Sequence, residues 1–172
     1  MTCMRVLIIT ADRCDDSELF YPYFRLMEED FEIEIASFSA TRVHAKYHFE
    51  IDASIAVSDV DAARYDALLL PGGLAPEKLR QDESVIKIVQ KFMADGKPIS
   101  AICHGQQILI SAGVLRGIHA TCYPGIKDDL VNCGAIYENK SVVVDKNIIT
   151  SRRPEDLPYF MRETVRMLKE IK

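Results

Sequence analysis

Short apolar runs alternate along this chain with longer segments in which apolar residues recur every three or four positions. The runs at residues 5–10, 65–73 and 98–102 are mainly aliphatic, which is typical of strands buried on both faces of a parallel sheet. The run at 65–73 ends in a glycine turn. Residues 31–36 alternate in polarity, and this pattern predicts a half-exposed strand.

The segments of helical periodicity follow these runs and also close the chain. They lie at residues 19–27, 83–94, 108–112 and 155–171. Pro22 is expected in the first turns of its helix, where a missing N–H is tolerated. Residues 39–58 and 141–150 are interpreted as hairpins. Because strands alternate with helices, the sequence predicts one α/β domain over residues 1–172, with a mostly parallel sheet covered on both faces.

Composition and charge exclude several classes of protein. The 172 residues include 21 basic and 26 acidic side chains, which give a net charge of −5 and no attraction to a phosphate backbone. No apolar run approaches the roughly 20 residues that span a bilayer. The amino terminus lacks the pattern of a signal peptide. We therefore expect a cytoplasmic protein that binds neither nucleic acid nor membrane.

The cysteines and histidines do not indicate a metal centre. The five cysteines are an odd number without a CxxC pair, and reduced thiols in the cytosol are expected. His44 and His48 are four residues apart but lack the rest of a zinc motif. The chain also has no glycine-rich phosphate loop, so bound nucleotide is disfavoured. The sequence predicts neither a metal nor a cofactor.

Three turns carry the residues that could take part in catalysis or ligand binding. They are residues 12–18, 72–77 and 103–105, and each directly follows a predicted buried strand. In a doubly wound sheet, ligands bind beyond the carboxyl ends of the strands. The sequence therefore predicts that these turns converge on one site.

Cys103 has the surroundings of a nucleophile elbow. It follows a strand, precedes a helix, and has the small residues Ala101 and Gly105 two positions to either side. The helix N-terminus is expected to stabilise its thiolate. The alternative is a buried structural cysteine. His104 is either a base or simply the first residue of the helix.

The two other turns offer backbone donors and carboxylates. Gly72 and Gly73 expose N–H groups that can hold an oxyanion, although a plain turn has the same sequence. Glu77 either caps a helix starting near Pro76 or orients a histidine. The four acidic residues of the first turn either tune the thiol or simply complement the helix macrodipole. They are Asp12, Asp15, Asp16 and Glu18.

The chain resembles the PfpI family of intracellular cysteine proteases and protein deglycases, a superfamily that includes the parkinsonism-associated protein. The resemblance runs through residues 7–11, 18–22, 70–77, 96–98, 101–105, 110–117, 123–129 and 151–152. It is stronger to the archaeal-type protease branch, because a histidine follows the cysteine. The resemblance implies a flavodoxin-like three-layer sandwich and an assembly into dimers or hexamers.

The resemblance also implies a role for each site residue. Cys103 would be the nucleophile, His104 its base, and Glu77 an acid that orients the histidine of a neighbouring subunit. The N–H groups of Gly73 and His104 would form the oxyanion hole, and Tyr123 would line the pocket.

One position departs from the family pattern. Asp15 stands where the family has a glutamate that shares a proton with the thiol. Its side chain is one methylene shorter, which is about 1.5 Å of lost reach. Cys14 beside it offers a second thiol that could trap an oxidised Cys103 as a disulfide.

Two classes of function follow from these residues. The first is an enzyme in which Cys103 adds to a carbonyl, with glyoxalase-III-type hydration, deglycation or peptide hydrolysis as its reaction. Its substrate would be a small carbonyl compound, a glycated group or a peptide. The second is a thiol-based oxidative-stress sensor or protective binding protein, in which Cys103 is a reactive exposed thiolate.

Overall fold

A seven-stranded sheet forms the centre of the protein. The structure, a computed structural model, describes residues 4–171. The strands in chain order are β1 (Arg5–Ile9), β2 (Glu32–Ser37), β3 (Arg42–His44), β4 (Glu50–Asp52), β5 (Ile55–Ala56), β6 (Ala67–Leu70), β7 (Ile99–Ile102), β8 (His119–Ala120), β9 (Ile136–Tyr137), β10 (Val142–Asp145) and β11 (Ile148–Ser151). The central sheet has the order β10-β11-β7-β6-β1-β2-β5, and only the β10–β11 pair is antiparallel.

Helices cover both faces of this sheet. They are α1 (Asp16–Met27), α2 (Ala75–Leu79), α3 (Glu83–Ala94), α4 (Gln106–Ser111), α5 (Lys127–Asn132) and α6 (Leu157–Glu170). α1 and α6 pack together in one layer, and α2, α3, α4 and α5 form the other. The predicted three-layer α/β architecture is confirmed. None of the helices between residues 4 and 171 combines the length and apolar character that crossing a bilayer requires.

The strands predicted to be buried do form the core. Every residue of β6, β7 and β11 is buried, because these strands lie between the two helical layers. β2 is exposed at its start and buried at its end, as expected of a strand nearer the sheet edge. The carboxyl ends of β1, β6 and β7 therefore lie side by side and bring the three candidate turns together.

The structure differs from the sequence-based expectation in four places. Residues 55–56, at the end of the segment interpreted as a hairpin, form β5, which pairs in parallel with β2 at the edge of the central sheet. α1 already begins at Asp16, so Pro22 lies in the helix interior and not in its first turns. α4 begins at Gln106, two residues earlier than the apolar pattern indicates. The small parallel pair β8–β9 and the six-residue α5 have no recognisable periodicity, because elements this short hold too few apolar positions.

Candidate active site

Cys103 lies in the tight turn between β7 and α4. Its φ of 63° is in the left-handed region, which is strained for a residue with a side chain. Neighbouring backbone holds it there: its N–H donates to Ser151 O at 3.0 Å, and its carbonyl accepts from Tyr123 N at 3.1 Å. The side chain is only 8% exposed. The predicted elbow geometry is therefore present, but the thiol is largely buried.

Two glycines allow the surrounding turns to approach the elbow closely. A Cβ at Gly72 would overlap the Glu18 carboxylate and lie 2.8 Å from Cys103 Cβ. A Cβ at Gly105 would overlap the carbonyl oxygen of Leu70. Neither position has room for a side chain, so glycine is required where the three turns meet.

Glu18, and not Asp15, is the carboxylic residue at the thiol. Glu18 is fully buried in the first turn of α1 and contacts the Cys103 thiol. Its Oε2 accepts a hydrogen bond from Gly72 N at 2.9 Å, and its Oε1 has no hydrogen-bond partner among residues 4–171. The expectation that Asp15 occupies this position is wrong. The glutamate that the family pattern requires is present, three residues further along.

Asp15 is instead the N-cap of α1. Its Oδ1 accepts from Ser17 N at 3.0 Å, from Glu18 N at 3.3 Å and from the Ser17 hydroxyl at 2.6 Å. An N-cap aspartate followed three residues later by glutamate is a capping-box pattern, and it is the signal in the sequence that separates the two roles. Here the glutamate turns toward Gly72 and leaves the cap to Asp15.

Burial raises the pKa of both the Glu18 carboxyl group and the Cys103 thiol. Burial, followed by the charge of Asp15, raises the pKa of Glu18 to about 8, although Gly72 and Cys103 act in the opposite direction. Burial and the charge of Glu18 also raise the pKa of Cys103 above its ordinary value. The expectation of an exposed thiol with a lowered pKa is therefore wrong. Two buried groups in contact are best described as one titrating pair.

Two backbone N–H groups lie near the Cys103 sulfur. The N–H groups of His104 and Gly73 form hydrogen bonds with the sulfur and lower the pKa of Cys103, against the larger effect of burial. These are the two groups that the family resemblance selects as oxyanion donors. The structure brings them to the nucleophile without testing their role.

His104 lies beside the thiol and stacks on Tyr123. Its Nδ1 is 3.3 Å from Cys103 Sγ, and the His104 and Tyr123 rings are 4.7 Å apart at an interplanar angle of 28°. Burial lowers the pKa of His104, while the charge of Glu77 acts to raise it. Within residues 4–171, the Glu77 carboxylate of the same chain makes no hydrogen bond to this ring. His104 is therefore an imidazole in contact with the thiol, and burial disfavours its charged form.

The β3–β4 hairpin is fastened over the first turn by the remaining acidic residues. Asp12 accepts from His44 N at 2.9 Å, and buried Asp16 accepts from Tyr47 N at 2.8 Å and Phe49 N at 3.1 Å. These carboxylates therefore anchor a loop. The hairpin also brings Lys46 near the site, where its charge acts on both Glu18 and His104. No motif in the sequence identifies this lysine.

Cys14 is a free buried thiol on the same turn. Burial raises its pKa to about 11, so it is a poor attacking thiolate for a disulfide with Cys103. Cys3 lies outside the described residues. Among residues 4–171, no group of three or more candidate metal ligands comes together.

Comparisons with known proteins agree with this geometry. The sequence matches the model of the DJ-1/PfpI family over residues 4–167. It is 49% identical over 166 residues to a protein of Pyrococcus abyssi named a deglycase, covering 96% of this chain and all of that one. It is 38% identical to the putative cysteine protease YraA of Bacillus subtilis, covering 96% and 98% of the two chains. A two-domain protein of Anabaena variabilis, with DJ-1/ThiJ/PfpI-like and ferritin-like domains, superposes with a TM-score of 0.94 at 33% identity, over 96% of this chain and 48% of that one.

Proposed function

The chain belongs to the DJ-1/PfpI family, and we propose that it is a cysteine-dependent deglycase that acts on reactive carbonyl groups through an adduct at Cys103. Relatives named deglycase or putative cysteine protease support an enzyme of this family. The observation that carries the choice is the buried pair of Glu18 and Cys103 beside two backbone donors. Such a site can add a thiolate to a carbonyl and move protons around it.

The first step begins when the pair has lost one of its two protons and the ionised Glu18 takes the remaining proton from the Cys103 thiol. With this proton on Glu18, the Cys103 thiolate attacks the carbonyl carbon and forms a C–S bond, and the π electrons move to oxygen. The N–H groups of Gly73 and His104 stabilise this oxygen. Glu18 then gives it the proton. The product is a neutral hemithioacetal beside an ionised Glu18.

The second step converts the adduct of an α-oxoaldehyde. Glu18 removes the proton from the carbon that carries sulfur, which leaves an enediolate, and the hydroxyl proton on that carbon moves to the neighbouring oxygen. Glu18 then returns its proton to the adjacent carbon, so that the enediolate becomes a thioester. Water, deprotonated by His104, cleaves the C–S bond and regenerates the thiol. Methylglyoxal and one water thus give lactate. In a methylglyoxal hemiaminal the C–N bond breaks first, the amine takes the hydroxyl proton and leaves, and the aldehyde carbonyl that forms is attacked by the thiolate. The products are then lactate and the free amine.

A peptidase is the second candidate. The 3.3 Å approach of His104 Nδ1 to Cys103 Sγ is the thiol–imidazole arrangement that such chemistry uses. The partly exposed Tyr123 would then line the pocket for a peptide side chain. The deglycase is preferred because a carboxylic acid in contact with the thiol suits proton transfer at carbon, which peptide hydrolysis does not require.

The test measures lactate release from methylglyoxal and from methylglyoxal-treated N-acetyllysine, with Cys103→Ser as the control. We expect lactate from the unmodified enzyme and none from the variant. Cleavage of fluorogenic peptides without any lactate would favour the peptidase. Lactate formation that survives in Cys103→Ser would refute the adduct.

We also propose a homo-oligomer in which Glu77 acts on His104 of a neighbouring subunit. The resemblance supports this arrangement, and so does the absence, within residues 4–171, of a hydrogen bond between Glu77 and His104 of one chain. Refolding a mixture of Glu77→Gln and Cys103→Ser chains tests it, because only a shared site can recover activity from two inactive variants.

A further inference from the structure

The β3–β4 hairpin carries a cation to the entrance of the site. The geometry points to Lys46 as the residue that selects substrates with a carboxylate next to the reacting group, glycated free amino acids being the fitting class. This inference rests on the proposed deglycase function and adds to it a preference among substrates.

The backbone of Lys46 is two hydrogen-bonded steps from the oxyanion donors. Lys46 N donates to Cys14 O at 2.9 Å, and Cys14 pairs with Gly73 in a β-bridge. Adjacent strands lie about 4.8 Å apart, so the two steps span roughly 10 Å. The N–H of Gly73 faces the Cys103 sulfur. A four-carbon lysine stem is suited to bridging a distance of this order toward a bound substrate.

The loop that carries Lys46 is held firmly in place. The residues on either side of its tip donate backbone N–H groups to buried Asp16, and Arg13 N donates to His44 O at 2.8 Å. This loop therefore keeps its position without help from substrate. A substrate carboxylate that binds Lys46 therefore does not have to order the loop, which would weaken binding.

Two cations, Arg13 and Lys46, lie near the entrance, and Lys46 is the one whose charge acts on both Glu18 and His104. Asp12, Asp15 and Asp16 are all on the first turn, so an anionic substrate is repelled unless a cation offsets them. The Lys46 ammonium lies 4.8 Å from the centre of the Tyr47 ring, and the residue is exposed, so an incoming carboxylate can meet it. Its charge reaches Glu18 and His104, on both sides of the thiol.

The first experiment does not depend on turnover. It compares the rates at which iodoacetate, an anion, and iodoacetamide, its neutral counterpart, alkylate Cys103, with the modified peptide quantified by mass spectrometry. We expect Lys46→Met to lower the iodoacetate-to-iodoacetamide ratio about fivefold. Lys46→Arg keeps the charge and should keep the ratio. Lys87→Met is the matched control, because it removes one charge from the exposed surface of α3.

The second experiment compares kcat/KM for methylglyoxal-treated alanine and alaninamide, which differ by one carboxylate. In Lys46→Met, the preference for the alanine adduct should fall about fivefold. An unchanged alkylation ratio in this variant, or an equal loss on both adducts, overturns the role of Lys46. If the unmodified enzyme processes neither adduct, the deglycase proposal fails, and the alkylation ratio still decides whether Lys46 selects anions at the thiol.

Discussion

Replacing Glu18 by glutamine should make the protein more stable at neutral pH and nearly inactive. Glutamine keeps the shape and an oxygen that can accept from Gly72 N, but it cannot ionise. The pKa of Glu18 is raised from 4.5 to about 8, chiefly by burial. At about 1.4 kcal/mol per pKa unit, this difference corresponds to roughly 5 kcal/mol, which is an upper limit for a coupled pair.

The direction in which stability changes with pH depends on whether the folded or the unfolded protein binds the Glu18 proton more tightly. Because the folded protein holds this proton more tightly than the unfolded chain, the free energy of unfolding falls as pH rises from about 4.5 to about 8. The Glu18→Gln variant has no ionisable group at this position, so its free energy of unfolding does not show this fall. The difference in the free energy of unfolding between Glu18→Gln and the unmodified protein should therefore shift in favour of the variant by several kcal/mol between pH 5 and pH 8.

Urea unfolding at pH 5, 6, 7 and 8, together with lactate assays, measures both effects. Loss of a general acid and base should lower kcat at least about 100-fold. Asp15→Asn is the matched control, since asparagine is also a good N-cap and the carboxyl group at the thiol remains. Parallel stability profiles for Glu18→Gln and the unmodified protein, or a larger loss of activity in Asp15→Asn, would refute the assignment of Glu18.

Three experiments with substituted proteins test other parts of the site. Gly72→Ala should cost about 1–3 kcal/mol of stability in urea unfolding and abolish lactate formation, because its Cβ would overlap the Glu18 carboxylate; an unchanged midpoint would contradict the close approach. His104→Ala should lower lactate formation about 100-fold, and full activity would rule out the histidine as base. Unfolded Glu77→Gln and Cys103→Ser chains that are mixed and refolded together should regain activity that neither variant has, because mixed oligomers contain some complete sites. If light scattering shows that the mixture is oligomeric and no activity returns, Glu77 does not act in the neighbouring site.

The sequence predicts the architecture well because long apolar patterns survive in the fold. The runs that form β1, β6 and β7 have buried side chains on both faces, and few structures besides a covered parallel sheet produce that pattern. These apolar patterns do not identify which residues form the site. Asp15 and Glu18 are both acidic and three residues apart, and the choice between them depends on where α1 begins and on which turn Glu18 meets across the sheet edge.

Lys46 could not be predicted for a related reason. It lies on a short hairpin whose place is fixed by Asp12 and Asp16, far away in sequence. The sequence alone favours the acidic turn as a helix complement or a thiol partner, whereas its use as an anchor for another segment depends on tertiary contacts. Residues that act through such long-range contacts leave no periodic signal in the sequence.

The raised pKa of Cys103 changes how the nucleophile is activated. The helix behind the elbow, α4, has only six residues, and its N-terminal N–H groups are outweighed by burial and by the charge of Glu18. A thiolate produced by a lowered pKa would need an exposed, electropositive setting, which this site lacks. The thiolate can form instead when an ionised Glu18, whose pKa burial raises to about 8, accepts the thiol proton over a short distance as the sulfur attacks. The nucleophile is then produced where the substrate carbonyl will need the same proton.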